Sequence, residues 1–233
     1  KAKWVAETQI GNQDASSRII FTMENDSKKG SKRVFIAPTS VDALTSGEES
    51  GLSKSQIDLL LTDLPTSILS LDPALLPAAK LKYLQLLVNY LRGDRTSEDK
   101  KTLDSVLAGK PFRKRDGVIG DIVHSTPVYG VSAGDKQPFV IFGANDGMVH
   151  VLNALTGDEL FAYIPSTSYK NLYRLSQKLY DANHRFFVDG GIKIVDITDG
   201  DATRTIAVGT FGLGAQGAWA LDLTNIKGLS ATT

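Results

Sequence analysis

The chain has 233 residues, and its 26 lysines and arginines balance its 26 aspartates and glutamates. A chain without net charge has no overall field to attract nucleic acid or an anionic membrane surface, so we expect neither as a partner. It has no cysteine, which excludes disulfides, thiol nucleophiles and zinc–thiolate sites, and no apolar run is long enough for a transmembrane helix. The chain begins Lys-Ala-Lys, without Met or a signal peptide, which indicates a mature product or an excised segment.

Two short β-type runs open the chain, at residues 18–23 and 33–37, and a polar loop separates them. Runs of this kind on either side of a polar loop predict a hairpin. We interpret the hairpin as the start of an opening blade of a larger β-structure.

Residues 53–109 have a helical pattern. Ser53 or Ser55 is suited to cap a first helix, and Pro77 suits the first turn of a longer one that ends at Arg92. The pattern predicts three helices, with approximate spans 53–63, 77–92 and 96–109. Because their apolar stripes need a surface to pack on, we interpret the segment as a helical insertion and not as a separate domain.

Residues 125–165 contain four strand-like runs, at 126–131, 138–144, 148–154 and 159–164. The turns between them are too short for anything but antiparallel neighbours. Both faces of this meander are apolar, so both must be covered. The simplest cover is a stack of similar sheets, as in a β-propeller.

A second, incomplete blade is predicted over residues 191–233, with strands at 191–197, 203–210 and 218–223. Within it, Ala220-Leu-Asp222-Leu-Thr224 matches Val151-Leu-Asn153-Ala-Leu-Thr156 of the complete blade. A meander that repeats at this spacing favours a propeller. The fold class predicted for residues 1–233 is therefore mainly β, part of a modified β-propeller whose other blades lie outside this sequence.

Two patterns resemble catalytic or nucleotide sites. Residues 212–217 fit G-x-G-x-x-G, but a strand follows them where a dinucleotide site needs a helix. Asp121, His124 and Ser125 are the residue types of a hydrolase triad, yet they are neighbours in sequence and no nucleophile elbow is present. We predict no catalytic residues and therefore no enzyme.

Metal binding is also not predicted within this segment. Asp196, Asp199 and Asp201 offer oxygen ligands, but their spacing does not match an EF-hand loop, and acidic residues with glycine between strands usually form a turn. The three histidines of the chain are scattered, and without cysteine they do not make a zinc motif.

Arg92, Gly93 and Asp94 form an RGD tripeptide at the predicted end of the second helix. One interpretation is structural, since glycine commonly ends a helix and a basic residue favours its last turn. The other is recognition by an integrin-type receptor, for which a position just past a helix end would provide exposure. The three residues are the candidate receptor-binding site.

Three segments together resemble the PilC/PilY family of type IV pilus tip-associated adhesins. They are Gly120-Asp-Ile-Val-His-Ser-Thr-Pro-Val128, Phe142-Gly-Ala-Asn-Asp-Gly-Met-Val-His150, and residues 88–94 taken with 112–115. The resemblance extends over about residues 18–225, and the first two segments are its specific parts.

This resemblance implies a non-enzymatic factor in type IV pilus biogenesis, with quinoprotein-like blades of four antiparallel strands. It implies a place outside the bacterium, at the cell surface or pilus tip, reached through the periplasm and outer membrane. The expected partners are minor pilins or the pilus tip and a host-cell receptor, and the expected roles are pilus extension, twitching motility and attachment. Family members carry a D-x-D-x-N calcium loop, which is not matched here, so we expect calcium only in the intact protein.

Two alternatives belong to other classes. The turn pattern of the blades is also typical of quinone-dependent dehydrogenases, which bind a quinone and calcium at the centre of a closed ring. The second alternative is a scaffold for outer-membrane assembly that is built on a propeller.

Overall fold

The computed structural model of the chain describes residues 3–24, 31–48, 51–98 and 112–230. The strands are β1 (Ile20–Glu24), β2 (Ser31–Val34), β3 (Val128–Val131), β4 (Pro138–Gly143), β5 (Val149–Asn153), β6 (Glu159–Ile164), β7 (Ile192–Asp199), β8 (Ala202–Thr210) and β9 (Ala218–Asp222). The α-helices are α1 (Ala6–Asn12), α2 (Ala43–Ser46), α3 (Lys54–Leu60), α4 (Thr66–Leu69), α5 (Leu76–Leu91) and α6 (Tyr169–Leu172). Most of the third predicted helix, at 96–109, lies outside the described residues.

The four strands of the predicted meander are confirmed, each to within two residues. β3, β4, β5 and β6 pair as antiparallel neighbours in that order. Gly147 and Gly157 lie in the connecting turns with φ of 92° and 82°, the left-handed region in which glycine has no steric penalty. The turn residues therefore set the antiparallel order, as the sequence predicted.

The opening hairpin of β1 and β2 does not begin a blade of its own, so that interpretation was wrong. β1 pairs in parallel with β6, and the sheet has six strands in the order β2-β1-β6-β5-β4-β3. Parallel neighbours need a long crossover, and the helical segment between β2 and β3 provides it. A pairing across so long a connection leaves no local signal in the sequence.

Both faces of the central strands of this sheet are buried. On one face, Ile141 and Val151 belong to the main core, which also contains Ala207 and Trp219 of the three-stranded sheet β7-β8-β9. On the other face, Phe142 and other side chains pack against α1 and the segment before β3. The residues of this second cluster are Ile10, Val118, Phe142 and Leu152, with Trp4, Ala6, Ile119 and Val140 against them.

Burial of both faces is therefore confirmed for β4, β5 and β6. The expectation that similar sheets cover both faces is correct for one face only. The three-stranded sheet covers one face, and α1 with the loop residues Trp4, Val118 and Ile119 covers the other. β3 is an exception, since it lies at the edge of the sheet and is not buried on both faces. Its Tyr129 is 64 % exposed.

α3 and α5 begin at predicted signals, although α3 ends at Leu60 and not at the expected Asp63, and α1, α2 and α4 were not predicted. Ser53 caps α3 in a capping box with Gln56, and Pro77 lies in the first turn of α5. Gly93 follows α5 with φ of 114°. Leu84, Leu87 and Val88 of α5 are fully buried in the main core, so the helical segment packs on the sheets.

The described part of the chain is mainly β with several short helices, and its two sheets do not close into a barrel. None of its helices is both long and apolar enough to span a bilayer. The division into a helical insertion at 53–109 and blades at 125–165 and 191–233 stays a prediction.

Candidate functional site

Four loops converge at one end of the two sheets. They comprise residues 120–125, 145–147, 184–190 and 211–217, and we call them the loop cluster. The first two carry the two specific segments of the family resemblance, and the last carries the G-x-G-x-x-G pattern. Motifs that are distant in sequence therefore meet in space.

Asn145 joins three of these loops by its backbone and side chain. Its backbone N–H donates to the carbonyl oxygen of Asp121 at 3.0 Å, and its Nδ2 donates to the Asp121 carboxylate at 3.0 Å. Its Oδ1 accepts from the backbone N–H of Phe187 at 3.0 Å. A side-chain amide that uses both its donor and its acceptor in this way fixes the relative positions of the loops.

Asp189 makes the second junction from a buried position. Its carboxylate accepts from the backbone N–H of His124 at 3.1 Å and lies 2.6 Å from the Nδ1 of the same residue. Its own N–H donates to the carbonyl oxygen of Phe211 at 3.2 Å. Gly212 has φ of 54°, and a Cβ there would lie 2.9 Å from the backbone of Asp189, so the loop requires glycine at this close approach.

The solvent side of the cluster is an aromatic and apolar surface. The Phe186 ring lies 5.9 Å from the His124 ring and 5.1 Å from the His184 ring, measured between centroids. Ile122 is 41 % exposed and Val123 is 52 % exposed beside His124. We call these five residues the loop patch. Exposed apolar groups held on rigid loops are typical of a binding surface.

A buried charge network lies beneath the cluster. Glu159 accepts a bidentate pair from Arg18, with distances of 2.7 and 2.9 Å, and its Oε1 lies 2.8 Å from the Nδ1 of His150. The Nε2 of His150 lies 3.0 Å from the carboxylate of Asp146. Asp146 also accepts from the backbone N–H of Gly120 at 3.0 Å, which connects the network to the loop cluster.

The pKa values of this network follow from burial and mutual charge. Burial alone would raise the pKa of Glu159, but the charge of Arg18 and the hydrogen bond from His150 lower it to about 2. Burial would lower the pKa of His150, but the charge of Asp146 and its hydrogen bond, with Glu159, raise it to about 9. Two cations thus balance two carboxylates, and the buried network is neutral near pH 7.

The residue types of the hydrolase triad do not come together. Asp121 accepts from the Nε2 of His184 at 2.9 Å, whereas His124 pairs with Asp189. The Oγ of Ser125 is buried and accepts from the N–H of Gly143 at 2.9 Å, so it holds strand β4 in place.

The candidate nucleotide segment and the candidate calcium ligand Asp196 both have structural roles in the three-stranded sheet. Residues 212–217 lead directly into β9. Asp196 lies in β7 and accepts from the hydroxyl of Thr205 at 2.7 Å, which is a cross-strand contact. In the part of the chain that the structure describes, no three His, Asp or Glu side chains are arranged to hold a metal ion.

The RGD tripeptide has a geometry that the sequence did not predict. Arg92 is only 4 % exposed, so the expected exposure is wrong for this residue. Its guanidinium donates to four backbone carbonyls, those of Ala15, Ser16, Arg18 and Phe35, at 2.6 to 3.1 Å. Burial, with the nearby charge of Arg18, lowers the pKa of Arg92 from 12.5 to about 10. These contacts agree with the structural interpretation, and receptor binding by Arg92, Gly93 and Asp94 stays a prediction.

The charge network and Asp189 were not predicted from the sequence. The partners in the network are up to 141 positions apart, and each residue alone looks like an ordinary loop or strand residue. The Asp146 and His150 pair, four residues apart across the turn before β5, was the one local signal available.

The class of protein is thus a mainly β protein whose stacked sheets present converging loops at one end. Residues 121–233 match the family model described as the PilY1 beta-propeller domain. That part of the chain is therefore similar to the PilY1 β-propeller family.

Curated relatives agree with this assignment. One is a type IV pilus biogenesis factor PilY1 homolog of Xylella fastidiosa, 36 % identical over 162 residues, which covers 59 % of this chain and 13 % of the relative. Another is the type IV pilus biogenesis factor PilY1 of Pseudomonas aeruginosa strain PAK, 32 % identical over 167 residues, with 60 % of this chain and 14 % of the relative covered. The chain therefore spans only about one seventh of the length of these relatives. No solved structure shows a significant match to the chain.

Proposed function

We propose that the chain is a β-propeller segment of a type IV pilus biogenesis factor and acts as a binding module, not as an enzyme. The observation that carries the proposal is the match of residues 121–233 to the PilY1 domain, together with relatives named as pilus biogenesis factors. In this proposal the six-stranded and three-stranded sheets correspond to propeller blades.

The loop patch is the surface that suits such a role. Asn145 and Asp189 hold the loops rigidly, so apolar side chains can stay exposed without collapsing onto the sheet. A preorganised patch loses little conformational entropy when a partner binds. The proposed partners are minor pilins or another component of the pilus tip, and the proposed place is the bacterial surface. Calcium regulation, if the intact protein has it, is assigned to residues outside this segment.

Removal of the gene tests the role in pilus biogenesis. We expect loss of surface pili, of twitching motility and of attachment, and recovery of all three when the wild-type gene is returned. Unchanged piliation and attachment in the deletion strain would contradict the proposal.

A patch variant separates pilus assembly from folding. Ile122→Asp with Val123→Asp places two charges on side chains that are already exposed, so the fold should persist while partner binding is lost. The control is Leu155→Asp, which places a charge on an exposed side chain in the turn between β5 and β6, at the opposite end of β5 from the loop cluster. Equal pilus counts in the patch variant and the control would show that the patch is not the binding surface.

Attachment to host cells is proposed as a second role of the intact protein. Asp94→Glu tests the RGD tripeptide without disturbing buried Arg92, since an integrin-type receptor requires the shorter carboxylate. Loss of adhesion to receptor-coated surfaces with normal pili would support the tripeptide as the receptor site, and unchanged adhesion would reject it.

A further inference from the structure

A cavity of about 290 Å³ opens beside the loop patch. It lies where three parts of the chain meet, namely the end of α5, the segment at residues 113–121 and the segment at residues 175–184. Asn145 and Asp146 of the loop cluster also line it. Ligand cavities in proteins are commonly about 300–1,000 Å³, so this one has room for a single side chain or a molecule of similar size.

The two arginines that line the cavity already have carboxylates of their own. Arg115 donates from all three guanidinium nitrogens, to Glu98 and to two backbone carbonyls, at 2.8 to 3.2 Å. Arg113 pairs with Asp181 at 3.0 Å. Because each of these cations is already paired, the arginines do not make the cavity a site for an anion.

Two carboxylates of the same wall have no such cation. Asp121 has the imidazole of His184 and the amide of Asn145 as partners, and no lysine or arginine of the described ranges pairs with it. Asp116 is exposed, and its carboxylate has no partner among the described residues. Burial would raise the pKa of Asp121, but the hydrogen bonds from His184 and Asn145 lower it, so the group is ionised at neutral pH.

The loop that carries both carboxylates is fixed from behind. The carboxylate of Glu7 accepts from the backbone N–H groups of Val118 at 2.7 Å and Ile119 at 3.3 Å. The carboxylate of Asp146 accepts from the N–H of Gly120 at 3.0 Å. A cavity lined by carboxylates in fixed positions attracts a cation, and little reorganisation is needed when the cation binds.

The cavity borders the loop patch directly. Asp121 immediately precedes Ile122 of the patch, and His184 belongs to both, since its Nε2 donates to Asp121 at 2.9 Å and its ring lies 5.1 Å from that of Phe186. A partner that covers the apolar side chains of the patch therefore has the carboxylate of Asp121 within reach. A charge beside an apolar patch contributes specificity, because a partner without the opposite charge leaves it unpaired.

We infer that the cavity is a pocket for one basic side chain, a lysine or an arginine, of the protein that binds the loop patch. The charged end of that side chain pairs with Asp121 and is attracted by Asp116, and its methylene groups lie on apolar lining residues such as Leu175. The inference rests on the proposed binding role and adds the chemistry of the partner. Its first test does not involve pili, so its failure there would leave the pilus proposal standing.

N-acetyl-arginine methylamide is the probe, because it carries the basic side chain between neutral peptide groups. It is titrated into the isotope-labelled 233-residue chain, and the backbone amide signals of Asp121, Ile122 and His184 are followed by NMR. We expect saturable shifts at these positions. The control is the citrulline analogue, which has nearly the same shape without the charge. It should bind at least about fivefold more weakly, since a charge-assisted hydrogen bond is about twice as strong as a neutral one. No saturable shift, or equal affinity for the two compounds, would overturn the pocket.

Matched variants locate the pocket on the chain. Asp116→Asn with Asp121→Asn removes both carboxylates with little change in size and should weaken probe binding at least about tenfold. Asp116→Asn alone has no contact to lose, so it should fold as the wild type does and weaken binding by a smaller factor. Asp158→Asn makes the same charge change in the turn between β5 and β6 and should bind normally. Equal binding by the double variant and the Asp158 control would overturn the site.

Two further measurements test whether the side chain belongs to a protein partner. Free arginine should bind no more tightly than the blocked probe, and an affinity at least about tenfold higher would indicate a free amino acid as the ligand and overturn the assignment. In cells, the variant with both Asp116 and Asp121 changed should lower pilus counts as the Ile122 and Val123 variant does, whereas Asp158→Asn should not. Normal pili together with lost probe binding would overturn the assignment to the partner and leave the role in pilus biogenesis standing.

Discussion

The buried charge network provides the sharpest prediction, through Glu159→Gln. The substitution keeps the size of the side chain but removes one of the two carboxylates that balance Arg18 and His150. The pKa of Glu159 is lowered from 4.5 to about 2, which corresponds to roughly 3 kcal/mol at about 1.4 kcal/mol per unit. Removal of one member of a buried ion pair typically costs about 3–5 kcal/mol. The variant should therefore lose about 3–5 kcal/mol of the free energy of unfolding.

Urea denaturation followed by circular dichroism measures this loss, and Asp58→Asn is its control. Asp58 pairs with Lys54 on the surface of α3, where both side chains are about half exposed, so its loss should cost less than about 1 kcal/mol. A second reading comes from NMR titration of the His150 ring. The pKa of His150 is about 9 in the wild type and should fall in the variant, because one neighbouring carboxylate is lost. A stability loss no larger than that of the control, or an unchanged His150 pKa, would refute the proposed network.

Three further predictions concern pH, the RGD residues and the loop glycines. Because the pKa of His150 is raised from 6.5 to about 9, its stabilisation is complete below pH 6.5, and the free energy of unfolding should fall as pH rises through 9. Arg92→Ala should cost about 3 kcal/mol or more in urea denaturation, since four carbonyls lose a donor, whereas Asp94→Ala should cost less than about 1 kcal/mol. Gly214→Ala should cost about 1–3 kcal/mol, because its Cβ would overlap the backbone of Phe187, while Gly191→Ala, with open space around it, should lower the melting temperature little or not at all. A free energy of unfolding that does not change above pH 6.5 would contradict the proposed environment of His150. Equal stability losses in the Arg92 and Asp94 variants, or in the Gly214 and Gly191 variants, would contradict the contacts assigned to Arg92 or Gly214.

Local patterns in the sequence were sufficient for the strands and for α3 and α5, but not for α1, α2 or α4. The meander from β3 to β6 is specified by short turns containing Gly147 and Gly157, and α3 and α5 by Ser53 and Pro77. Each signal acts over a few residues, so it could be interpreted without tertiary structure. The family resemblance was also predictable, because its specific segments are contiguous.

Features that join distant parts of the chain were not predictable. The parallel pairing of β1 with β6 and the contact of Arg18 with Glu159 bridge more than 130 positions. The burial of Arg92 was not predictable for the same reason. A tripeptide at a helix end is expected to be exposed, but the N-terminal segment, which is distant in sequence, covers Arg92. The loop cluster likewise depends on Asn145 and Asp189, whose partners become neighbours only when the sheets form.

The burial of both faces of the six-stranded sheet is tested most directly by two substitutions in β5 that each introduce a charged side chain. Val151 faces the three-stranded sheet and Leu152 faces α1, and both are fully buried. We predict that Val151→Asp and Leu152→Asp each cost more than about 3 kcal/mol of the free energy of unfolding, because either face would bury an unpaired carboxylate. A folded protein of near wild-type stability from either variant would show that one face is open to solvent and would contradict the account.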